Sequence, residues 1–207
     1  CSDYLHELDL ENAIDTVSYK SEGIGYKRET FINAPSNIFA MKISSDLPSL
    51  LNFDLIIKRL RFYDTVENFS DEGMSNGIIM SGDLGKNAPE FRAAVRCYTN
   101  GGTISVTGEH ICVSNADEAI IFMTAGTTFD RKNGTIRPLT ELYSEIETAF
   151  GKALAKGYDE LKNEHIADYR RLYSGVEFQL EGVEEFDSLP TDVRLKEASE
   201  TTRPDTG

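Results

Sequence analysis

The side chains best suited to hold a metal or to act as nucleophiles are three histidines, His6, His110 and His165, and three cysteines, Cys1, Cys97 and Cys112. Their spacing supports neither role. A structural zinc site needs Cys and His in close pairs, and the three histidines lie far apart in the chain. No metal or cofactor site is expected. Cys97 and Cys112 fall on separate expected strands and could be neighbours; the reading preferred here is free, partly buried thiols. No Gly-x-Ser-x-Gly, phosphate-binding glycine loop or His-Glu-x-x-His is present.

Acid–base cleavage of a glycosidic bond needs two carboxyl groups roughly 5–9.5 Å apart. Close pairs exist, Asp9 with Glu11 and Glu184 with Glu185, but among 35 acidic residues they read as solvated surface. No catalytic residue is therefore assigned, and no substrate-binding residue can be named. Tyr19, Tyr26 and Tyr98 could stack on sugar rings, although cross-strand packing explains them as well. His165 falls on an apolar helical stripe and reads as a hydrogen-bonded core residue. Asn68-Phe-Ser and Asn133-Gly-Thr fit the glycosylation pattern, which short sequences also meet by chance.

The elements expected to carry these residues change type along the chain. Residues 13–20, 24–33 and 38–44 read as strands, with a break at Pro35. Leu51, Phe53, Leu55 and Ile57 recur with the period of two that marks a half-buried strand. The polar stretch 62–76 reads as a loop. Strands resume at 77–84 and 91–99, with Phe91, Ala93, Val95 and Cys97 on one face and Arg92, Arg96 and Tyr98 on the other. Asn100-Gly-Gly is a turn signal, and 103–107 with 110–114 form a hairpin. Residues 119–124 are apolar on both faces, as in a strand covered by two layers. From Leu139 the period becomes helical. Leu139, Leu142, Tyr143, Ile146, Ala149, Phe150, Ala153 and Leu154 make one stripe, opened by Pro138 and ended near Gly157. A second helix is expected over 158–173 with Tyr158, Leu161, His165, Tyr169 and Leu172 inward, then a strand over 176–180. The chain then reads as an acidic loop to Ser188, the opening of another helix at Leu189-Pro-Thr-Asp, and a frayed end from Thr201.

The 207 residues suffice for a substantial core, and the net charge of −14 disfavours nucleic acid and anionic membranes as partners. No run approaches ~18 apolar residues, so no helical membrane span is expected. No signal peptide is read. Cys1-Ser2 suits a lipoprotein start or an arbitrary cut in a longer chain equally.

Four collinear segments resemble glycoside hydrolase family 95, the α-L-fucosidase family. Glu7-Leu-Asp-Leu-Glu-Asn-Ala13 with Thr16-Val-Ser-Tyr19 is similar to the opening of the second part of its N-terminal domain. Tyr26-Lys-Arg-Glu-Thr-Phe31 with Ala34-Pro35 resembles the next strand. Asn115-Ala-Asp-Glu-Ala119 resembles the last sandwich strand. His165-Ile-Ala-Asp-Tyr169 with Leu189-Pro-Thr-Asp-Val-Arg-Leu195 resembles the linker and the approach to the barrel. The chain departs from the pattern at Leu5-His6, where the family has arginine after the tyrosine, and over 62–76.

The resemblance implies a mainly β chain: an antiparallel β-sandwich, part of a larger super-sandwich, over 1–130; a linker of two helices and a strand over 131–188; and the frayed start of a helical barrel over 189–207. It further implies a bacterial enzyme, periplasmic or extracellular, that inverts the anomeric centre of α-L-fucosides or related α-L-galactosides. The family's catalytic residues lie in the (α/α)6 barrel, and no position here matches them. The expected role is thus a non-catalytic fragment scaffolding that barrel, inactive alone, whose cut surface favours a homodimer. The competing readings are a free-standing carbohydrate-binding sandwich, which would contact glycan directly, and an acidic adhesion or lipoprotein module.

Overall fold

Two strands with apolar residues on both faces set the architecture. In the computed structural model, which describes residues 1–58, 67–70, 75–83, 85–177 and 189–200, these are β8 (Glu90–Asn100) and β11 (Glu118–Thr127). They pair antiparallel over ten residues, from Glu118 opposite Asn100 to Thr127 opposite Phe91. A strand apolar on both faces must be covered twice. Around this pair runs an eight-stranded antiparallel sheet in the order β1-β2-β3-β4-β11-β8-β7-β6. Its other members are β1 (Ser2–Asp9), β2 (Ile14–Ser21), β3 (Ile24–Asn33), β4 (Ile38–Ser45), β6 (Glu67–Ser70) and β7 (Gly77–Asp83).

One face of this sheet is covered by a three-stranded sheet of β5 (Leu51–Ile56), β10 (His110–Ala116) and β9 (Thr103–Thr107). The core between the sheets joins Ile78, Met80, Val95, Cys97 and Ile121 to Leu51, Ile111 and Val113. The turn leading into β9 needs glycine. Gly102 has φ +66°, and a Cβ there would lie 2.3 Å from the Ser114 carbonyl oxygen.

The other face is covered by α1 (Leu139–Tyr173), which packs Leu142, Ile146, Phe150 and Leu161 on Phe31, Ala40, Ile79, Ala94 and Phe122. Gly157 (φ 73°, ψ 174°) divides α1 into two arms, a conformation closed to residues bearing a Cβ. The result is three layers: small sheet, large sheet, helix. A hairpin of β12 (Phe129–Asp130) and β13 (Thr135–Ile136) links β11 to α1. The unit so built spans Cys1–Arg170. A second unit spans Arg171–Gly207 and contains α2 (Thr191–Glu200), which opens after Pro190.

The fold is the expected antiparallel sandwich followed by helices, with several local differences. The strand β1 has no counterpart among the expected elements, because its residues are almost all exposed and carry no core-facing alternation. Four residues of the expected 62–76 loop form β6, which pairs with Ile79–Gly82 of β7, a tertiary effect without a local period. The two expected helices are one element broken at Gly157. Leu154 and Leu172, expected on the buried stripes, are 50% and 62% exposed. The strand expected at 176–180 lies mostly outside the described residues, and Val176 and Glu177 at its start are not in a strand. Leu84, the acidic loop before Ser188 and the segment from Thr201 also lie outside them.

Phe150 is fully buried between α1 and the sheet, with the Arg96 guanidinium carbon 4.2 Å from its ring centre. Phe150→Ala is expected to lower the free energy of unfolding by about 3–5 kcal/mol, and Leu154→Ala, four residues on, by no more than about 0.5 kcal/mol. Urea unfolding of both variants measures the contrast; equal losses would contradict the placement of the helix.

Candidate functional site

The polar residues nearest to a chemical arrangement lie where the second arm of α1 crosses β2 and β3. Asn33, at the end of β3, is completely buried and fully engaged. Its Nδ2 donates to the Leu161 carbonyl at 2.9 Å and to Glu164 Oε2 at 2.8 Å, and its Oδ1 accepts from the Ser36 amide at 2.7 Å. Lys156 Nζ reaches Glu164 Oε1 at 2.6 Å and Ser36 Oγ at 3.2 Å. Earlier on β3, Glu29 Oε1 accepts from Lys162 at 2.7 Å and from the Tyr158 hydroxyl at 3.0 Å.

These contacts set the local titration. Burial tends to raise the Glu29 carboxyl, but the hydrogen bonds from Lys162 and Tyr158 outweigh it and hold the group below its usual range. Glu164 is lowered chiefly by the hydrogen bond from Lys156 and then by that from Asn33. Tyr158 is pushed far up, first by burial and then by the Glu29 charge, so its hydroxyl stays a donor.

Beside this seam lies a cleft of about 290 Å³ lined by Glu7, Asp9, Asn12, Glu29 and Lys162. It gathers three carboxyl groups, yet the Asp9 carboxylate is turned into its own chain. Asp9 accepts from the Asn12 side chain and from the backbone N–H groups of Glu11 and Asn12, and the Asn12 side chain leads in lowering its pKa. Asp9 and Glu29 are thus both held as anions. A glycosidic general acid needs the reverse, a carboxyl group that keeps its proton near neutrality. Asp9 and Glu11 thus form a turn instead of a working pair, and Glu184 and Glu185 lie outside the described residues.

His165 is buried against β3, stacked on Phe31 and Tyr169 with ring centres 5.2 and 6.2 Å away. Its Nε2 lies 3.0 Å from the Asn12 carbonyl and 3.1 Å from that of Ala13. Two carbonyl acceptors require a proton on Nε2, so this nitrogen serves the fold. His6 contacts Asp15 at 2.6 Å on β1 and β2, and His110 sits at the outer face of the small sheet near Asp54. The structure does not bring the three histidines together, and among the described residues no cluster suited to a metal occurs.

The cysteines are also separated. Cys97 faces the core between the sheets, where burial raises its thiol to about 11. Cys112 lies on the small sheet between Ser105 and Asp54, with its inward neighbours Ile111 and Val113 on the opposite face. The two are therefore not partners, and all three cysteines are free.

A groove of about 710 Å³ lies beyond the outer edge of β5, where the large sheet extends past the small one. Tyr4, Tyr19 and Tyr26 line it with Arg28, over a floor of Met41, Ile43, Phe53 and Leu55. Sequence reasoning picks out Tyr19 and Tyr26 but misses Tyr4, which no periodic signal marks. Tyr19 and Tyr26 stack on each other, 5.4 Å apart at 19°, so each covers one face that a sugar would use. Tyr98 lies under α1 against Phe122 and is not part of the groove. The groove offers apolar surface, hydroxyls, the Arg28 guanidinium and the Asp54 carboxyl group, a lining that suits binding or packing.

Comparison with known proteins places this geometry. The chain is 26% identical over 208 aligned positions to α-L-fucosidase 2 of Arabidopsis thaliana, covering 86% of this chain and 24% of that protein. The chain thus spans about a quarter of that relative's length. Among solved structures, a protein from the human microbiome, provisionally named a kojibiose phosphorylase, aligns over 83% of this chain and 25% of its own, with 11% identity and a TM-score of 0.49. Residues 1–132, which contain both sheets, match the model described as the N-terminal domain of glycosyl hydrolase family 65, and the chain belongs to that family of domains.

Proposed function

We propose that this chain is the non-catalytic N-terminal sandwich and linker of an α-L-fucosidase-like glycoside hydrolase of family 95, part of a larger super-sandwich, and that it holds an (α/α)6 catalytic barrel in position. The observation that carries the reading is the similarity to the Arabidopsis fucosidase. At 86% of the chain, it reaches beyond the 132 residues of the sandwich model and into the helical segment. The state of the carboxyl groups supports it. Among the described residues, every carboxyl group with a displaced pKa is displaced downward, namely Asp9, Glu29, Asp130, Glu145 and Glu164, each with hydrogen-bond donors on it. Such groups close turns, as Asp9 and Asp130 do, or join elements, as Glu29 and Glu164 do; a group held as an anion is poorly placed to donate a proton at neutral pH. The alternative of a free-standing carbohydrate-binding module would need open aromatic faces, and the mutual stacking of Tyr19 and Tyr26 counts against it.

The purified chain is expected to release 4-nitrophenol from 4-nitrophenyl α-L-fucoside no faster than buffer does. Turnover that disappears in Glu29→Gln or Asp9→Asn would place a reaction centre in this chain and overturn the proposal.

The seam carboxylates also fix a pH dependence. The folded pKa values of Glu29 and Glu164 are depressed, so the unfolded chain binds protons more readily. Their contribution to stability is fully present above the ordinary glutamate value of 4.5 and is lost as pH falls through the lower folded values. Unfolding midpoints measured from neutral pH into this acidic range are expected to fall, and to fall less steeply in Glu29→Gln. An acid limb with the same slope in that variant would show that Glu29 is not linked to folding.

A further inference from the structure

Three asparagines in this chain precede glycine: Asn76, Asn100 and Asn133. An Asn-Gly peptide carries its own reaction. The glycine amide nitrogen, once deprotonated, attacks the asparagine Cγ. A bond forms between that nitrogen and Cγ, the bond from Cγ to the side-chain nitrogen breaks, and ammonia leaves with a proton taken from water. The cyclic imide then takes up water. Opening at Cγ gives aspartate; opening at the main-chain carbonyl gives isoaspartate, in which the backbone runs through the side chain. Glycine in the next position favours the attack because no Cβ crowds its nitrogen.

The fold decides whether the two reacting groups are free to meet, and it treats the three sites differently. Asn76 is half-buried just before β7. Its Nδ2 donates to the Cys97 carbonyl at 3.1 Å, and its own carbonyl accepts from the Cys97 amide at 2.9 Å. Gly77 is buried in the sheet opposite Arg96. Asn133 lies on the exposed turn between β12 and β13, where both reacting groups are tied to Asp130. Asn133 Nδ2 donates to Asp130 Oδ2 at 2.6 Å, and the Gly134 N–H donates to the Asp130 carbonyl at 2.8 Å. Asn100 ends β8, at the turn that passes from the large sheet to the small one, and it is exposed together with Gly101 and Gly102. Among the described residues, neither its side-chain amide nor the Gly101 N–H has a hydrogen-bond partner. Its carbonyl is held by the Asp117 amide at 2.8 Å. Glycine is required after it, since Gly101 has φ +69° and a Cβ there would lie 3.0 Å from Asp117 Oδ2. The turn thus demands the one residue that leaves Asn100 open to attack.

We propose that Asn100 is a self-modification site, converting to aspartate and isoaspartate with water as the co-reactant and ammonia as the product, and that hydrogen bonding protects Asn76 and Asn133 from the same reaction. Each hydrogen bond that must first be released slows the attack by up to about tenfold. The position gives the change a consequence. Asn100 lies opposite Glu118 in the β8–β11 pair. A new carboxylate there sets like charges across the pair, which weakens it. Isoaspartate also lengthens the main chain where the Asp117 amide binds. The inference stands apart from the catalytic reading above.

Peptide mass mapping of the folded chain, sampled over days at mildly alkaline pH, tests this. Replacement of the amide by a carboxyl group is expected at Asn100 at least about tenfold faster than at Asn76 or Asn133. In urea strong enough to unfold the chain, the three rates are expected to converge. Asp130→Ala, which releases the Asn133 side chain, is expected to speed conversion of Asn133 and leave that of Asn100 unchanged. Asn100→Asp, the product made directly, is expected to unfold at a lower urea midpoint than the wild type. Asn76 or Asn133 converting first in the folded chain overturns the proposal. So does an Asn100 that keeps its lead in urea, because the preference would then belong to the local sequence and not to the fold. An Asn133 indifferent to Asp130→Ala overturns the protective role of the hydrogen bonds, and an unchanged midpoint in Asn100→Asp overturns the weakening of the strand pair.

Discussion

The rest of the structure depends on the double burial of β8 and β11. Both strands bury side chains on both faces, β8 turning Arg92, Ala94 and Arg96 toward α1, so neither the small sheet nor α1 is optional. Removing either layer would uncover a sheet face built from Ile, Val, Ala and Phe. The helix is broken where it is because its two arms must follow one sheet surface, and the change of direction falls at the residue able to take positive φ, Gly157. Coverage is unequal, however. The helix reaches β2 and β3, whereas the small sheet stops at β5. The groove with its three tyrosines lies where that mismatch in width leaves the large sheet uncovered.

The polar residues obey the same constraint. A helix crossing the end of a sheet buries the backbone groups of the β3–β4 turn, and each needs a partner. Asn33 meets this need from the centre, and Glu164, Lys156 and Ser36 complete the set. His165 does the same for the carbonyls of Asn12 and Ala13. Residues that look reactive as isolated side chains are here the means by which a helix and a sheet satisfy each other. This is why the carboxylates are held as anions and the buried imidazole carries its proton on the nitrogen facing the backbone.

What could be read from the sequence follows from local periodicity. The alternation of β5, the two-sided apolar run of β11, the stripes of α1 and the break at Gly157 are all written in spacing. The inward placement of His165 follows from its stripe. β1 and β6 could not be read, since one is exposed throughout and the other exists through its neighbour. The relation of Cys97 to Cys112 was hidden for another reason. Strand spacing says which face a residue takes, but not which sheet the strand joins. The tyrosines were ambiguous because ring orientation is a product of packing and leaves no trace in the order of residues. The resemblance led to an N-terminal glycoside hydrolase domain, and the matching model carries the number 65 where the motifs suggested 95.

The hydrogen bonds that dock α1 also bear on how the chain assembles. Asn33 and Leu161 are 128 positions apart, and His165 and Asn12 are 153 apart. Contacts of such separation close large loops and return nothing until the ends meet. The helical arms follow the β12–β13 hairpin and so come after every strand they cover. During synthesis β1–β11 emerge before α1, and for that interval Ala40, Ala94 and Phe122 face water. The chain therefore passes through a stage in which its best-covered surface is its most vulnerable one, and the order of residues along the polypeptide sets how long that stage lasts.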